Sequence, residues 1–570
     1  MLTTSTPFFI IFHCKPPNRL MSSNILSFSF NPCPTQAEFQ QAWTASLEQA
    51  QLQLEFLEKP LNHEEAKQYL QSLDKVDAIC SRFDLQGRTW DKYHPDASMR
   101  DESVRARDAF AAVLASIESS SAIAENVAKV EASGLISDPD GVRLLCKWKQ
   151  TLAREGAYLP AEKKARVQHL TVAIQAKANE YSRNIQNDST TLDFTWCELR
   201  GLPLEYLDER ADGSVNGAVR AYRKALDIEP ILEFCELQPT REKAYRHLYN
   251  KGGPENEKVL SELLVLRQEK AELLGYPNWA AYEMGPGLIN NVKDAQDFLQ
   301  ETRQVIDNAA DVELLHLQKY MAGRHVDKLQ LWDLAYVQNL LKSELLDGFD
   351  PKSTRQYFQV DKVLPGLRSI VESMFSLRFE KMLDCEAWHP TISVFQVYDT
   401  TCREEKLLGR IFFDLFSRQG KQDGYWGTTI CKPIMNSQLG EVIVVSSLSN
   451  APGACMSFDQ VKDGFRVFGH CVHVLLSANQ YARFSGLTHI EHDFAGTSSQ
   501  LLGHWMRYPQ LFDFATNKNG ERIPKGDMVN LFKAGDIGQA TLRRRWMIDC
   551  QVSVCRLSTL TVALILAFIV

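Results

Sequence analysis

Residues 465–473 are Phe-Arg-Val-Phe-Gly-His-Cys-Val-His, and they decide the fold of this 570-residue chain. They belong to an apolar pattern that recurs at steps of three and four residues, which predicts a helix with one face in the core. The members of this pattern are Phe458, Val461, Phe465, Phe468, Val472 and Leu475. Arg466, His470 and His473 fall on roughly the opposite side, where they are available for chemistry.

The polar side of this helix has the spacing of a metal site but not its residues. Two histidines four residues apart on a helix can bind one metal ion, and a glutamate directly after the first acts as general base. Here the first position is Arg466, a permanent cation that cannot bind a metal ion and repels a dication. The general-base position is Val467, which has no proton acceptor. Only His470 keeps the required side chain.

The framing residues resemble those of the thimet oligopeptidase family of zinc metallopeptidases, which includes saccharolysin and has oligopeptidase A and mitochondrial intermediate peptidase as relatives. The family motif is Phe-His-Glu-Phe-Gly-His, and residues 465–470 match it everywhere except at the ligand and the base. The resemblance runs from roughly residue 37 to residue 556. Its other blocks are residues 90–96, 184–188, 259–282, 332–336, 388–390, 408–421 and 481–486.

This resemblance implies a mainly α, two-lobed helical fold like that of the oligopeptidases, with a small β-sheet beside the site cleft. Runs of β-branched and aromatic residues independently predict strands at residues 392–398, 407–415 and 442–448. The expected organisation starts with a disordered leader and a helical domain, continues with a degenerate and incomplete catalytic domain, and ends in an apolar tail. Their ranges are 1–36, 37–290, 291–556 and 557–570.

The resemblance also locates the other metal positions. In the family the third zinc ligand is a glutamate within Asp-Phe-Val-Glu-x-Pro-Ser-Gln, and a further glutamate three residues after the glutamine supports the metal shell. The matching stretch here is residues 493–500, so Gly496 occupies the ligand position and Gly503 the supporting position. One of three zinc ligands, His470, therefore remains, and no catalytic residue is intact. Zinc is expected to be absent or weakly bound.

Four further side chains are candidates for the metal shell or the cleft: His473, His489, His504 and Asp493. Three of the histidines between residues 470 and 504 could converge on a cation and rebuild a metal site. The alternative is that these histidines are hydrogen-bonded or lie on the surface.

Other catalytic schemes find little support. Cys471 lies between two of the histidines, but residues one and two positions apart on a helix do not face each other, so a packed thiol is expected. The sequence contains no Gly-x-Ser-x-Gly elbow, no P-loop and no dinucleotide fingerprint after a strand.

Composition limits the partners and the compartment. A net charge of -8 gives no broad attraction for nucleic acid or for an anionic membrane. The 13 cysteines are scattered without a Cys-x-x-Cys pair, which indicates reduced thiols and a cytoplasmic location, with mitochondria as the alternative. The uncharged stretch 557–570 is shorter than the roughly 20 residues that span a bilayer. Membrane contact is expected only if this tail acts as an anchor.

Together these observations predict a degenerate, C-terminally truncated copy of a zinc-dependent oligopeptidase whose ancestral activity is cleavage of short peptides. The predicted function is that of a non-hydrolytic pseudopeptidase with short peptides as partners in a cleft. Two alternatives stay open. One is an active metallo-oligopeptidase with a rebuilt His-rich site, and the other is a peptide-binding or regulatory protein.

Overall fold

The computed structural model describes residues 30–210, 219–322, 328–422, 424–487, 489–508 and 512–558. With 63% of its residues in helices, it confirms the predicted mainly α class. The helices are α1 (Gln36–Glu58), α2 (Ala66–Tyr93), α3 (Ala97–Ser119), α4 (Ser121–Ser133), α5 (Pro139–Arg154), α6 (Ala161–Gln186), α7 (Leu204–Arg210), α8 (Ala225–Phe234), α9 (Gln238–Tyr249), α10 (Gly253–Leu273), α11 (Trp279–Met284), α12 (Val292–Ala322), α13 (Leu334–Leu345), α14 (Val360–Phe375), α15 (Phe458–Leu476), α16 (His492–Ala495), α17 (Thr497–Trp505), α18 (Lys525–Asp536) and α19 (Gln539–Ser558).

A five-stranded sheet precedes α15, where the sequence predicts a small sheet. The strands of the structure are β1 (Thr191–Phe194), β2 (Val219–Tyr222), β3 (Leu377–Lys381), β4 (Ser393–Asp399), β5 (Lys406–Phe416), β6 (Trp426–Cys431) and β7 (Gly440–Leu448). β1 pairs with β2, and the larger sheet has the order β3-β4-β5-β7-β6. Only β5 and β7 are parallel within it. The three predicted strands are confirmed as β4, β5 and β7, while β3 and the edge strand β6 are additional.

The larger sheet is buried on both faces, and this burial positions α15. Neighbouring residues of a strand point to opposite faces. Phe412 and Ile443 therefore join the core formed with α1–α5, whereas Ile411 and Val442 join the core formed with α14 and α15. The first core thus joins segments on both sides of the predicted domain boundary at residue 290, and that boundary stays a prediction.

The chain ends hold the predicted leader and the predicted apolar tail. Phe30 belongs to the predicted leader, yet it is 3% exposed, donates its backbone N–H to Glu441 at 3.0 Å and packs against Trp90. Phe30 and Pro34 are therefore buried although they lie within the predicted leader, whereas Asn31, Cys33 and Thr35 are exposed, and the leader boundary stays a prediction. Residues 1–29 of the leader and 559–570 of the tail lie outside the described residues. Among the helices that the structure describes, none is long and apolar enough to cross a membrane.

Candidate functional site

Helix α15 forms because both its start and its apolar face are encoded locally. Ser457 Oγ accepts a hydrogen bond from Gln460 N at 3.2 Å, and the Gln460 side chain accepts one from Ser457 N at 2.8 Å. This reciprocal capping satisfies N–H groups that a helix start leaves unpaired. The predicted apolar face is confirmed by the burial of Val461, Phe465, Phe468, Val472 and Leu475.

Helix α17 packs closely against the polar side of α15. A Cβ atom on Gly469 would lie 2.7 Å from Leu502 Cδ1 and 3.2 Å from Ser498 O, so a side chain there would push the helices apart. The ring Nδ1 of His473 forms a hydrogen bond with Ser498 Oγ at 2.9 Å. The glycine of the motif therefore has a packing role that is independent of any metal.

Arg466, His470 and His473 are all partly exposed on this side of α15. His470 Nδ1 is buried and has no hydrogen-bond partner. Burial lowers the pKa of His470, and the nearby His473 and Arg466 lower it further. Burial alone lowers the pKa of His473. Both rings therefore favour the neutral state.

The side chain at the general-base position belongs to the core. Val467 is 3% exposed and packs in the apolar cluster between α15 and the sheet. A Cβ atom on Gly427 of β6 would lie 3.0 Å from Val467 Cγ1, so the edge strand passes directly against this residue. Val467 therefore contributes packing and no proton acceptor.

Two glycines, one at the start of α17 and one within it, have room for a Cβ atom. Gly496 is exposed at the junction of α16 and α17, and a Cβ atom there would have no neighbouring atom within 4 Å. A Cβ atom on Gly503 would lie 3.8 Å from Arg466 Cβ. A Cβ atom therefore meets no clash at either of the positions to which the resemblance assigns a glutamate.

Two of the predicted cleft histidines have other surroundings. His489 Nε2 lies 3.5 Å from Asp77 Oδ1 of α2. This carboxylate also binds Arg483 at 2.8 Å and lies 3.6 Å from Lys432 Nζ. His504 is exposed in the last turn of α17. The sequence gives no signal for the buried ion cluster around Asp77, because its members are far apart along the chain.

Asp493 holds a backbone segment of another part of the chain. Its carboxylate oxygens accept hydrogen bonds from Leu288 N at 3.1 Å and Ile289 N at 2.9 Å. The bond from Ile289 contributes most to lowering the pKa of Asp493. This carboxylate therefore anchors the segment between α11 and α12.

The described donor set does not fit a catalytic zinc ion. Such an ion takes three protein ligands and one open position. Of the three positions that the resemblance identifies, only His470 presents a ligand atom, because a guanidinium and a bare glycine cannot bind the ion. Within the described parts of the chain, no three His, Cys, Asp or Glu side chains form a cluster that could hold a metal ion.

Cys471 is a packed thiol, as the helix geometry predicts. It is buried, its Sγ lies 3.5 Å from Ile443 O, and burial raises the pKa of the thiol. The thiolate needed for nucleophilic attack is therefore disfavoured.

Comparison with known proteins matches the model described as Peptidase family M3 to residues 231–548. The chain is 28% identical to oligopeptidase A of Escherichia coli (strain K12) over 411 residues, which cover 68% of this chain and 60% of that protein. It is 25% identical to saccharolysin of Saccharomyces cerevisiae over 433 residues, which cover 70% of this chain and 60% of that protein. It is 26% identical to mitochondrial intermediate peptidase of Arabidopsis thaliana over 506 residues, which cover 84% of this chain and 71% of that protein.

This chain thus spans 60% of the length of oligopeptidase A and of saccharolysin. The family model covers more than half of the chain and includes β3–β7, α15 and α17. The resemblance drawn from residues 465–470 is therefore confirmed, and the chain belongs to peptidase family M3.

Proposed function

We propose that this protein binds short peptides in an oligopeptidase-type cleft and does not hydrolyse them. The observation that carries the proposal is the burial of Val467 at the general-base position. A general base must come within hydrogen-bond reach of the proton that it removes. A valine packed against β6 cannot do so, and loss of such a base typically costs about 10²–10⁴-fold in rate.

The charge beside Val467 supports the same proposal. Arg466 is fixed on α15 one turn before His470, where the family has its first metal ligand. Its guanidinium stays protonated throughout the range in which proteins work and would repel a zinc ion. Loss of the base and loss of the ligands are separate changes, and restoring one alone would leave the other defect in place.

The peptide-binding part of the proposal rests on the edge strand. β6 pairs with β7 on one side and is the last strand of the described sheet, and its first half, Trp426 to Thr428, is at least partly exposed, so that part of the edge can accept an extended peptide as an additional strand. Gly427 brings this strand against α15, and Trp426 beside it is half exposed. An extended peptide along β6 would therefore run close to the polar side of α15.

Cytoplasmic location remains part of the proposal. The cysteines that the structure describes are all free thiols, which suits a reducing compartment.

The test compares binding and cleavage of the same peptide. Purified protein is mixed with an internally quenched fluorescent peptide, with and without added zinc and chelator, and a labelled copy is used to measure binding by anisotropy. We expect saturable binding and no release of fluorescence. Cleavage that a chelator abolishes would contradict the non-hydrolytic part, and absence of binding would contradict the peptide-binding part.

A further inference from the structure

Arg466 presents a charge that the protein only weakly neutralises. The nearest carboxylate is Asp463 on the same helix, whose Oδ1 lies 3.6 Å from Arg466 Nε. The two side chains are 38% and 40% exposed. An ion pair with this exposure and spacing contributes little to stability, so a better-placed carboxylate can compete for the guanidinium.

On the side of α17, the residue that lies against the stem of Arg466 is a glycine, Gly503, and carries no side chain. Gly496 has no atom within 4 Å of a Cβ position, and Gly503 has only the aliphatic stem of Arg466 there. One turn along α15, the buried Nδ1 of His470 has no hydrogen-bond partner. A partly exposed cation and a partly exposed imidazole therefore lie on one side of the helix, where Gly503 of α17 adds no side chain.

We propose that Arg466 binds a carboxylate of the peptide, with His470 as the neighbouring polar group. This inference rests on the proposed peptide-binding function and names the chemical feature that the site selects. A guanidinium matches a carboxylate in shape and can donate two parallel hydrogen bonds to it. The carboxylate is either the C-terminus of the peptide or an acidic side chain within it, since both present the same group.

The position of β6 is compatible with this ligand. A peptide paired along the edge strand passes Gly427, which lies against Val467 in the same turn of α15 that carries Arg466 on its polar side. Arg466 would therefore bind one charged group of the peptide while β6 binds its backbone, so that the backbone provides affinity and the carboxylate provides selectivity.

The experiment uses three versions of one peptide, fluorescein-Ala-Phe-Ala-Leu-Gly-Phe-Ala-Leu. The first has a free C-terminal carboxylate, the second a C-terminal amide, and the third the amide with glutamate in place of the central glycine. Anisotropy titrations give the dissociation constant of each for the full-length protein. We expect at least one carboxylate-bearing version to bind about 10-fold more tightly than the uncharged amide, the effect of one charge-assisted hydrogen bond. The peptide version that binds more tightly than the uncharged amide identifies the source of the carboxylate.

Variants at Arg466 assign this preference to the residue. Arg466→Gln should remove it, and Arg466→Lys should retain part of it, because lysine keeps the charge without the two-pronged geometry. Gly503→Glu should also remove it, because the new carboxylate starts beside the stem of Arg466. The matched control is Arg88→Gln on α2, an exposed arginine paired only locally with Asp84, which should leave the preference unchanged.

The outcomes separate this inference from the function on which it rests. Equal binding of all three peptides to the unmodified protein would overturn the carboxylate site and leave peptide binding in place. A carboxylate preference that survives Arg466→Gln in a variant with unchanged circular dichroism would also overturn it. Absence of binding by every peptide would refute the proposed function and this inference with it.

Discussion

Replacement of Asp77 by asparagine should destabilise the protein strongly, because it would leave buried cations without their counter-ion. Asp77 is 2% exposed, and the side chains of its partners Arg483 and Lys432 are 4% and 2% exposed. Removing one member of a buried ion cluster typically costs about 3–5 kcal/mol, since the remaining charge stays desolvated. Asparagine keeps the shape of the side chain, so the effect isolates the charge.

The assay is equilibrium urea unfolding followed by tryptophan fluorescence and circular dichroism in parallel. The guanidinium of Arg483 lies 4.1 Å from the ring centre of Trp148, so one of the ten tryptophans that contribute to the fluorescence lies against the cluster. The control is Asp513→Asn, which breaks a pair whose side chains are 73% and 68% exposed and should change the free energy of unfolding by less than about 0.5 kcal/mol. A loss below about 1 kcal/mol for Asp77→Asn would refute the reasoning.

The pH dependence gives a second measure of the same cluster. Burial opposes ionisation of Asp77, but Lys432, His489 and Arg483 outweigh it and hold the pKa of this carboxyl well below its usual range. Its stabilising contribution is therefore present above the unfolded pKa of about 4 and is lost as the pH falls further. Asp74, whose pKa is raised to about 6 chiefly by burial, acts in the opposite sense between about pH 4 and 6. The comparison with Asp77→Asn should consequently be made below about pH 4, where the unmodified protein should lose stability more steeply than the variant.

Three further predictions concern α15. Phe465→Ala should lower the free energy of unfolding by about 3–5 kcal/mol in urea titrations because Phe465 is fully buried, whereas Phe494→Ala at an exposed position should have little effect. Ser457→Ala should cost about 1 kcal/mol in the same assay through loss of the helix cap, and an unchanged midpoint would show that the cap is dispensable. Cys471 should react with a thiol reagent only after unfolding, while exposed Cys402 reacts in the native protein; equal rates would contradict the burial of Cys471.

The elements that the sequence predicts are those in which a local pattern coincides with burial. The apolar pattern of α15 and the strands β4, β5 and β7 are examples, because each is long and has one regular period. β3 and β6 escape such prediction, since both are short and contain charged or small residues. Their place in the sheet depends on strands far along the chain.

In the candidate site, too, local spacing predicts some features, and contacts between distant parts of the chain decide the others. The positions of Arg466, His470 and His473 on one helical side follow from spacing, and the M3 assignment follows from the motif. The surroundings of His489 do not, because Asp77 and Arg483 are 406 positions apart and meet only through tertiary packing. The burial of Phe30 likewise depends on Trp90 and the sheet, so local composition carries no signal for it.

The most direct test of the central claim is the zinc content of the purified protein after equilibration with a zinc buffer, measured by elemental analysis. The account predicts far less than one zinc ion per chain. The double variant Arg466→His and Gly496→Glu, which together with His470 presents three possible ligands, should retain more zinc if it folds normally. About one ion per unmodified chain, lost on His470→Ala, would contradict the account.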